Sequence, residues 1–149
     1  MRLTLRGRVL FMSNGAWGDG HNGVNVYMAS YWEKVADQIT ALVKKYDFDG
    51  VDIDWEYPST AGDWKRYDSF IQKLHRDLKA YNEDAVISAA LSAGALGLSK
   101  GTFAWIERLP VMGCDGSDTD GYQSSPPQAG GGLHSFKLNG AGMNKINIS

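Results

Sequence analysis

Two hydrophobic periods alternate along this chain, and that alternation constrains the fold more than any other property of the sequence. Short apolar runs occupy residues 9–13, 48–55, 85–91 and 109–114. Between them, apolar residues recur at three- and four-residue steps. One series is Met28, Tyr31, Trp32, Val35, Ile39, Leu42, Val43 and Tyr46; the next is Tyr67, Phe70, Ile71, Leu74, Leu78 and Tyr81. The short runs have the length of strands, and the stepped series have the 3.6-residue period of amphipathic helices. Residues 14–25 read as a loop after the first strand, and Thr60 or Asp63 is placed to cap the second helix. Residues 102–108 read as a short helix, 115–132 as a long loop rich in Gly, Ser and Pro, and 145–148 as the start of a fifth strand.

Strands that alternate with helices form a parallel sheet with right-handed crossovers, so the expected fold class is α/β. About four whole strands and a fifth begun amount to roughly half of an eight-stranded α/β barrel, which takes about 250 residues. Periodicity alone fits a small open sheet equally well.

The 149 residues are expected to form a single domain around one core. A hydrophobic content of 43% and a charged content of 21% are those of a folded globular chain. The formal net charge of -2 supplies no field to attract nucleic acid or an anionic membrane. No stretch approaches the roughly 18 apolar residues of a membrane span. The apolar run behind the basic first residues is too short for the core of a signal peptide, and the lone Cys114 excludes an internal disulfide.

The run 48–55 and the residues just after it carry the chemistry. Successive side chains of a strand point to opposite faces, which puts Asp52, Asp54 and Glu56 on one side and Val51, Ile53 and Trp55 on the other. Same-face neighbours are about 6.6 Å apart along a strand, so the three carboxyls make a row. Asp49 falls on the opposite parity, at the strand entrance. The ordinary reading of an acidic run is a solvated face. Here bulky apolar residues alternate with the acids, and other apolar runs flank the strand, which argues for a row held inside. Carboxyls packed side by side raise one another's pKa and share protons, the condition a general acid needs near neutrality.

Clustered carboxylates also suit a hard cation. His21, His75 and His134 are scattered away from the row, however. The acidic stretch near Asp118 and Asp120 does not fit a calcium loop, because Gly116 stands at the first ligand position and Pro127 at the twelfth. No metal or other cofactor is expected. A nucleophilic role for Cys114 is the other use of a reactive side chain here, but no histidine is placed by the sequence to activate it.

Asp49-Gly50-Val51-Asp52-Ile53-Asp54-Trp55-Glu56 matches the D-x-x-D-x-D-x-E signature of family 18 glycoside hydrolases, the chitinase family, and Tyr57-Pro58 continues the match. Ser13-Asn14-Gly15-Ala16-Trp17 resembles the family's S-x-G-G-W segment, with Ala16 at the second glycine. Val111-Met112-Gly113-Cys114-Asp115 resembles its M-x-Y-D segment, with Cys114 where the family has tyrosine. The resemblance covers nearly the whole chain. It implies a (β/α)8 TIM barrel of which this chain supplies roughly strands 3 to 7, with the acidic signature on the fourth.

The same resemblance implies retaining, substrate-assisted hydrolysis of β-1,4-linked N-acetylglucosamine polymers. Glu56 would protonate the glycosidic oxygen, and the substrate's own acetamide oxygen would attack the anomeric carbon, an exception to the two-carboxylate scheme. Asp54 would hold the acetamide N–H and Asp52 would share a proton with Asp54. Trp17, Tyr57, Met112 and Asp115 would line the substrate cleft. Cys114 offers a shorter and weaker hydrogen-bond partner than the phenol it replaces, and one positioned donor lost at a developing charge costs on the order of a hundredfold in rate. Trp32, Trp55, Trp64 and Trp105 are assigned to core packing.

The expected partner is chitin or a chitooligosaccharide, with no nucleic acid, no membrane and a monomeric state; secretion is expected from the family resemblance. Two other readings remain open. One is an endo-β-N-acetylglucosaminidase, which shares the acidic signature. The other is a non-catalytic chitin-binding protein on the same barrel, for which the departure at Cys114 argues and the retained Glu56 argues against.

Overall fold

A computed structural model of the chain describes residues 9–13, 21–55, 58–92, 101–112 and 142–148. The elements alternate as the two periods require: β1 (Val9–Ser13), α1 (His21–Tyr46), β2 (Gly50–Asp54), α2 (Ala61–Tyr81), β3 (Val86–Ala89), β4 (Leu91–Ser92), α3 (Thr102–Trp105), β5 (Leu109–Met112) and β6 (Ile146–Ile148). Every strand pairing is parallel, in the orders β1-β2-β3 and β4-β5-β6. Backbone hydrogen bonds and one bridge join the two sets. Ala90 N–H donates to the Ile53 carbonyl at 2.9 Å, Ala89 N–H donates to the Arg108 carbonyl at 3.0 Å, and Ser88 bridges Arg108.

The core lies between the sheet and the helices. Val51, Ile53, Ile87 and Ala89 on the strands meet Met28, Ala36, Ile39 and Val43 of α1 and Phe70, Ile71, Leu74 and Leu78 of α2, all buried. Burying a side chain of this size contributes roughly 1.5–3 kcal/mol, which is why both stepped series are helical. Trp32, Trp64 and Trp105 are partly buried against this core and Trp55 is buried within it, as their positions in the periodic pattern suggested.

The helix ends have local causes. At the end of α1, Asp47 takes a left-handed turn at φ 55° and Phe48 N–H donates back to the Val43 carbonyl at 3.1 Å. The Tyr81 hydroxyl donates to the Asp47 carboxylate at 3.3 Å across the sheet's entry end. At the start of α2, Thr60 and Asp63 form a reciprocal cap: Asp63 N–H donates to Thr60 Oγ1 at 3.1 Å, and Thr60 N–H donates to Asp63 Oδ2 at 2.9 Å. Such a box satisfies two of the helix's orphan donors at once.

Four boundaries differ from the sequence reading. Helix α1 starts at His21 rather than Met28, inside the stretch read as a loop. Asn22, Gly23 and Asn25 are poor helix formers, and the turn they occupy extends a helix whose stability comes from the packed stripe downstream. Helix α3 stops at Trp105 because the next residues are taken by the sheet: Glu107 N–H and Arg108 N–H both donate to the Ile87 carbonyl, at 2.9 and 3.2 Å. The third apolar run is two strands, β3 and β4, broken at Ala90, whose N–H crosses to β2. Strand β2 itself starts later than the apolar run, because the Phe48 N–H is taken by the Val43 carbonyl at the end of α1.

Gly50 explains the close pairing at the entry of β2. A Cβ at that position would lie 2.0 Å from the Val86 carbonyl oxygen, a backbone atom. Only glycine allows the two strands to approach this closely.

Candidate active site

Strand β2 is central in its set, and its two faces have separate environments. Val51 and Ile53 are fully buried against the helices, whereas Asp52 and Asp54 are half-buried on the opposite face. The parallel register sets Asp52 between Phe11 of β1 and Ser88 of β3, and Asp54 beside Ser13 of β1. The alternation read from the sequence thus holds for these two acids and for their apolar neighbours. Asp49 precedes the strand; it is half-buried, and its carbonyl accepts the Val86 N–H at 3.0 Å.

Met112 ends β5 in register with Ser92 of β4. Trp17, Glu56, Tyr57, Cys114 and Asp115 lie outside the described residues.

The chain on either side of residues 56 and 57 is anchored to the start of α2. Trp55 is 1% exposed, and its ring packs on Tyr67 with centroids 5.6 Å apart and planes tilted by 43°. Tyr67 in turn meets Trp64 edge-on at 6.1 Å. Beyond residues 56 and 57, Pro58 is buried, and Ser59 and Thr60 both donate from their hydroxyls to Asp63 Oδ2, at 3.3 and 2.7 Å. Arg66 adds an ion pair to Asp63 Oδ1 at 3.1 Å.

Two groups at the start of α2 have shifted titrations. Burial pushes the Tyr67 phenol far above its ordinary range, and the charges of Asp52, Asp54 and Asp68 push it the same way. Tyr67 is therefore a neutral phenol within electrostatic reach of the acids, and its buried hydroxyl has no hydrogen-bond partner among the described residues. Asp63 lies below the usual carboxylate value: its burial acts to raise it, and the hydrogen bonds from Thr60 and Ser59 outweigh that burial.

The sequence reading placed Tyr67 only in the helical stripe. The signal that could have singled it out is the pair of aromatics at Trp64 and Tyr67, one turn apart on the helix that follows Trp55.

A groove of about 360 Å³ lies elsewhere, between α1 and α2, lined by Asp37, Thr40, Ala41, Lys44, Asp77 and Ala80. It is in the helical layer, away from the carboxylate face, and is not the site. Among the described residues no three His, Cys, Asp or Glu side chains come together to hold a metal ion. No helix among them is long and apolar enough to cross a membrane.

The family profile of Glycosyl hydrolases family 18 matches residues 10–110, about two thirds of the chain and the whole of the β2 signature. The chain belongs to glycosyl hydrolase family 18. An endochitinase of Manduca sexta is 30% identical to this family 18 chain over 95 residues, 58% of the chain and 17% of that protein. Among solved structures, the chitinase-like agglutinin RobpsCRA of Robinia pseudoacacia superposes with a TM-score of 0.79 at 19% identity, over 94% of this chain and 49% of the agglutinin. A class V chitinase mutant of Cycas revoluta in complex with (GlcNAc)3 superposes with a TM-score of 0.76 at 16% identity, over 94% of this chain and 47% of the chitinase. The fold is accordingly part of the family's TIM barrel. The chain spans about half the length of these structures and about a sixth of the endochitinase.

Proposed function

We propose that this family 18 chain is the acid-bearing part of a chitinase, acting on β-1,4-linked N-acetylglucosamine with retention of configuration. The observation that carries the reading is the place of Asp52 and Asp54, the middle acids of the D-x-x-D-x-D-x-E signature, on β2 and on the face away from the helices. A strand of an α/β barrel presents catalytic groups at its C-terminal end, where this signature runs out at Glu56.

In this reading Glu56 donates its proton to the glycosidic oxygen as the bond breaks. The substrate's acetamide oxygen attacks the anomeric carbon and forms an oxazolinium ion. Asp54 accepts a hydrogen bond from the acetamide N–H and stabilises the positive charge that develops there, the kind of preorganised contact that gains strength in the transition state. Asp52 shares a proton with Asp54. Glu56, now a carboxylate, takes a proton from the water that opens the ring. Trp17, Tyr57, Met112 and Asp115 line the cleft, with Cys114 as a weak partner at the acetamide carbonyl. The Cycas chitinase with bound (GlcNAc)3 supports an N-acetylglucosamine oligomer as the ligand class.

A second reading has an observation of its own. The Robinia protein that superposes on the chain is a chitinase-like agglutinin, so a barrel of this shape serves a sugar-binding protein too. Hydrolysis of a fluorogenic chitooligosaccharide, compared between the chain and its Glu56→Gln variant, separates the two. Turnover lost in the variant supports the enzyme. Saturable oligosaccharide binding without turnover in either protein sinks the enzymatic reading and leaves the lectin-like one.

A further inference from the structure

We infer that Tyr67 is a positioning residue for the general acid, acting through Trp55. The inference rests on the reading of Glu56 as that acid, and it concerns how the residue is held rather than what it does.

Trp55 immediately precedes Glu56 in the chain. Its side chain lies on the parity opposite to the acid row and is 1% exposed, so it is a peg set into the helical layer. The surface it meets is the Tyr67 ring, with centroids 5.6 Å apart. Tyr67 is fully buried and is itself backed by Trp64 at 6.1 Å. Both rings project from the first two turns of α2, whose start is fixed by the reciprocal cap of Thr60 and Asp63. Trp55 and Thr60 are therefore tied to one rigid helix end, and the short step between them carries Glu56. A strand that ends without such an anchor leaves its next side chain free to swing. Displacing a reacting group by about 1 Å costs on the order of a hundredfold in rate.

The ring, and not the hydroxyl, makes the contacts that matter. The hydroxyl has no hydrogen-bond partner among the described residues, so phenylalanine preserves every contact Tyr67 makes there. Methionine keeps an apolar side chain that adapts to the gap but lacks the flat face.

The test compares Tyr67→Phe and Tyr67→Met with the parent in two measurements. The first is steady-state hydrolysis of a fluorogenic chitooligosaccharide. Tyr67→Met is expected to lower kcat by about 10- to 100-fold with KM changed by less than about threefold, and Tyr67→Phe to stay within about twofold of the parent. The second is the pH titration of the Glu56 side-chain carboxyl by 13C NMR, assigned with Glu56→Gln. A group moved relative to neighbouring charges changes its midpoint, so a shift of about half a pH unit or more is expected in Tyr67→Met and none in Tyr67→Phe. Should Tyr67→Met fail to fold, Trp64→Leu removes the ring behind Tyr67 and carries the same expectations. A parent that does not hydrolyse the substrate sinks the chitinase reading alone, and the titration then decides this one. Coincident Glu56 titrations in the parent and in Tyr67→Met, or an equal loss in Tyr67→Phe, overturn the inference.

Discussion

Glu107 reaches across to Ile87 and accepts its backbone N–H at 2.7 Å, while Glu107 N–H donates to the Ile87 carbonyl at 2.9 Å. One residue thus completes both halves of a strand-like pairing at the entry of β3, using its side chain for one of them. Its other carboxylate oxygen holds Lys79 at 3.0 Å. Removing the side chain strands the backbone donor of the buried Ile87, a loss of about 1–3 kcal/mol. Glu107→Ala is expected to lower unfolding free energy by that amount in urea denaturation. Glu107→Gln, which keeps an acceptor oxygen, is expected to lose less than half as much.

The reciprocal cap of α2 makes a second prediction. Thr60→Ala removes the acceptor for Asp63 N–H and one donor to its carboxylate, and loss of such a cap costs about 0.5–2 kcal/mol. The pH dependence follows from the lowered pKa of Asp63. The folded state binds fewer protons at this group than the unfolded chain, so its contribution is present above the unfolded carboxylate range and is lost as pH falls through the lower folded value. The stability difference between the protein and Asp63→Asn, followed by thermal melts, is expected to shrink steadily as the solution is acidified below that range.

His75 has a linkage of the same sign, in a higher pH window and with burial as its cause. Burial lowers its pKa; Glu107 at 3.6 Å pulls upward, and Lys79 and Lys145 add to the lowering. Between the ordinary histidine value and the lower folded one, the unfolded chain holds more protons than the folded one. Stability therefore falls as pH drops through that window and levels off beneath it. A His75→Gln variant is expected to lose this slope, and equilibrium unfolding between pH 7 and pH 5 reads it; an unchanged slope would assign the dependence to another group.

Gly50→Ala is the harshest substitution expected in the sheet. The new methyl would meet the Val86 carbonyl oxygen at 2.0 Å, and a backbone atom in a paired strand cannot step aside. A loss of about 3 kcal/mol or more is expected, seen as a large drop in thermal midpoint or in soluble yield.

Much of this arrangement was legible in the sequence because it depends on local periods. The two-residue alternation around Asp52 and Asp54 set them apart from Val51 and Ile53, and the stripe from Tyr67 to Leu78 marked α2 along with its cap. The features that escaped are those created by distant partners. Nothing local distinguishes residues 106–108 as sheet rather than helix; Ile87 claims them from about twenty residues away, as the hydrogen bond between Ile87 and Glu107 spans a separation of 20. The break at Ala90 comes from the Ile53 carbonyl on another strand. Tyr67 looked like any core aromatic of its helix, because its distinction lies in which ring it touches.

Four fixing contacts share one end of the sheet. Gly50 against Val86, Glu107 on Ile87, Lys79 on the Ala85 carbonyl at 2.6 Å and Tyr81 on Asp47 all gather where the strands enter. Asp54 stands at the other end, where β2 exits. That end has its own fastening, the Trp55 ring on Tyr67 behind the cap of α2. The two fastenings share no residue, so a fault at the entry threatens the fold while a fault at the exit disturbs first the side chains next to it.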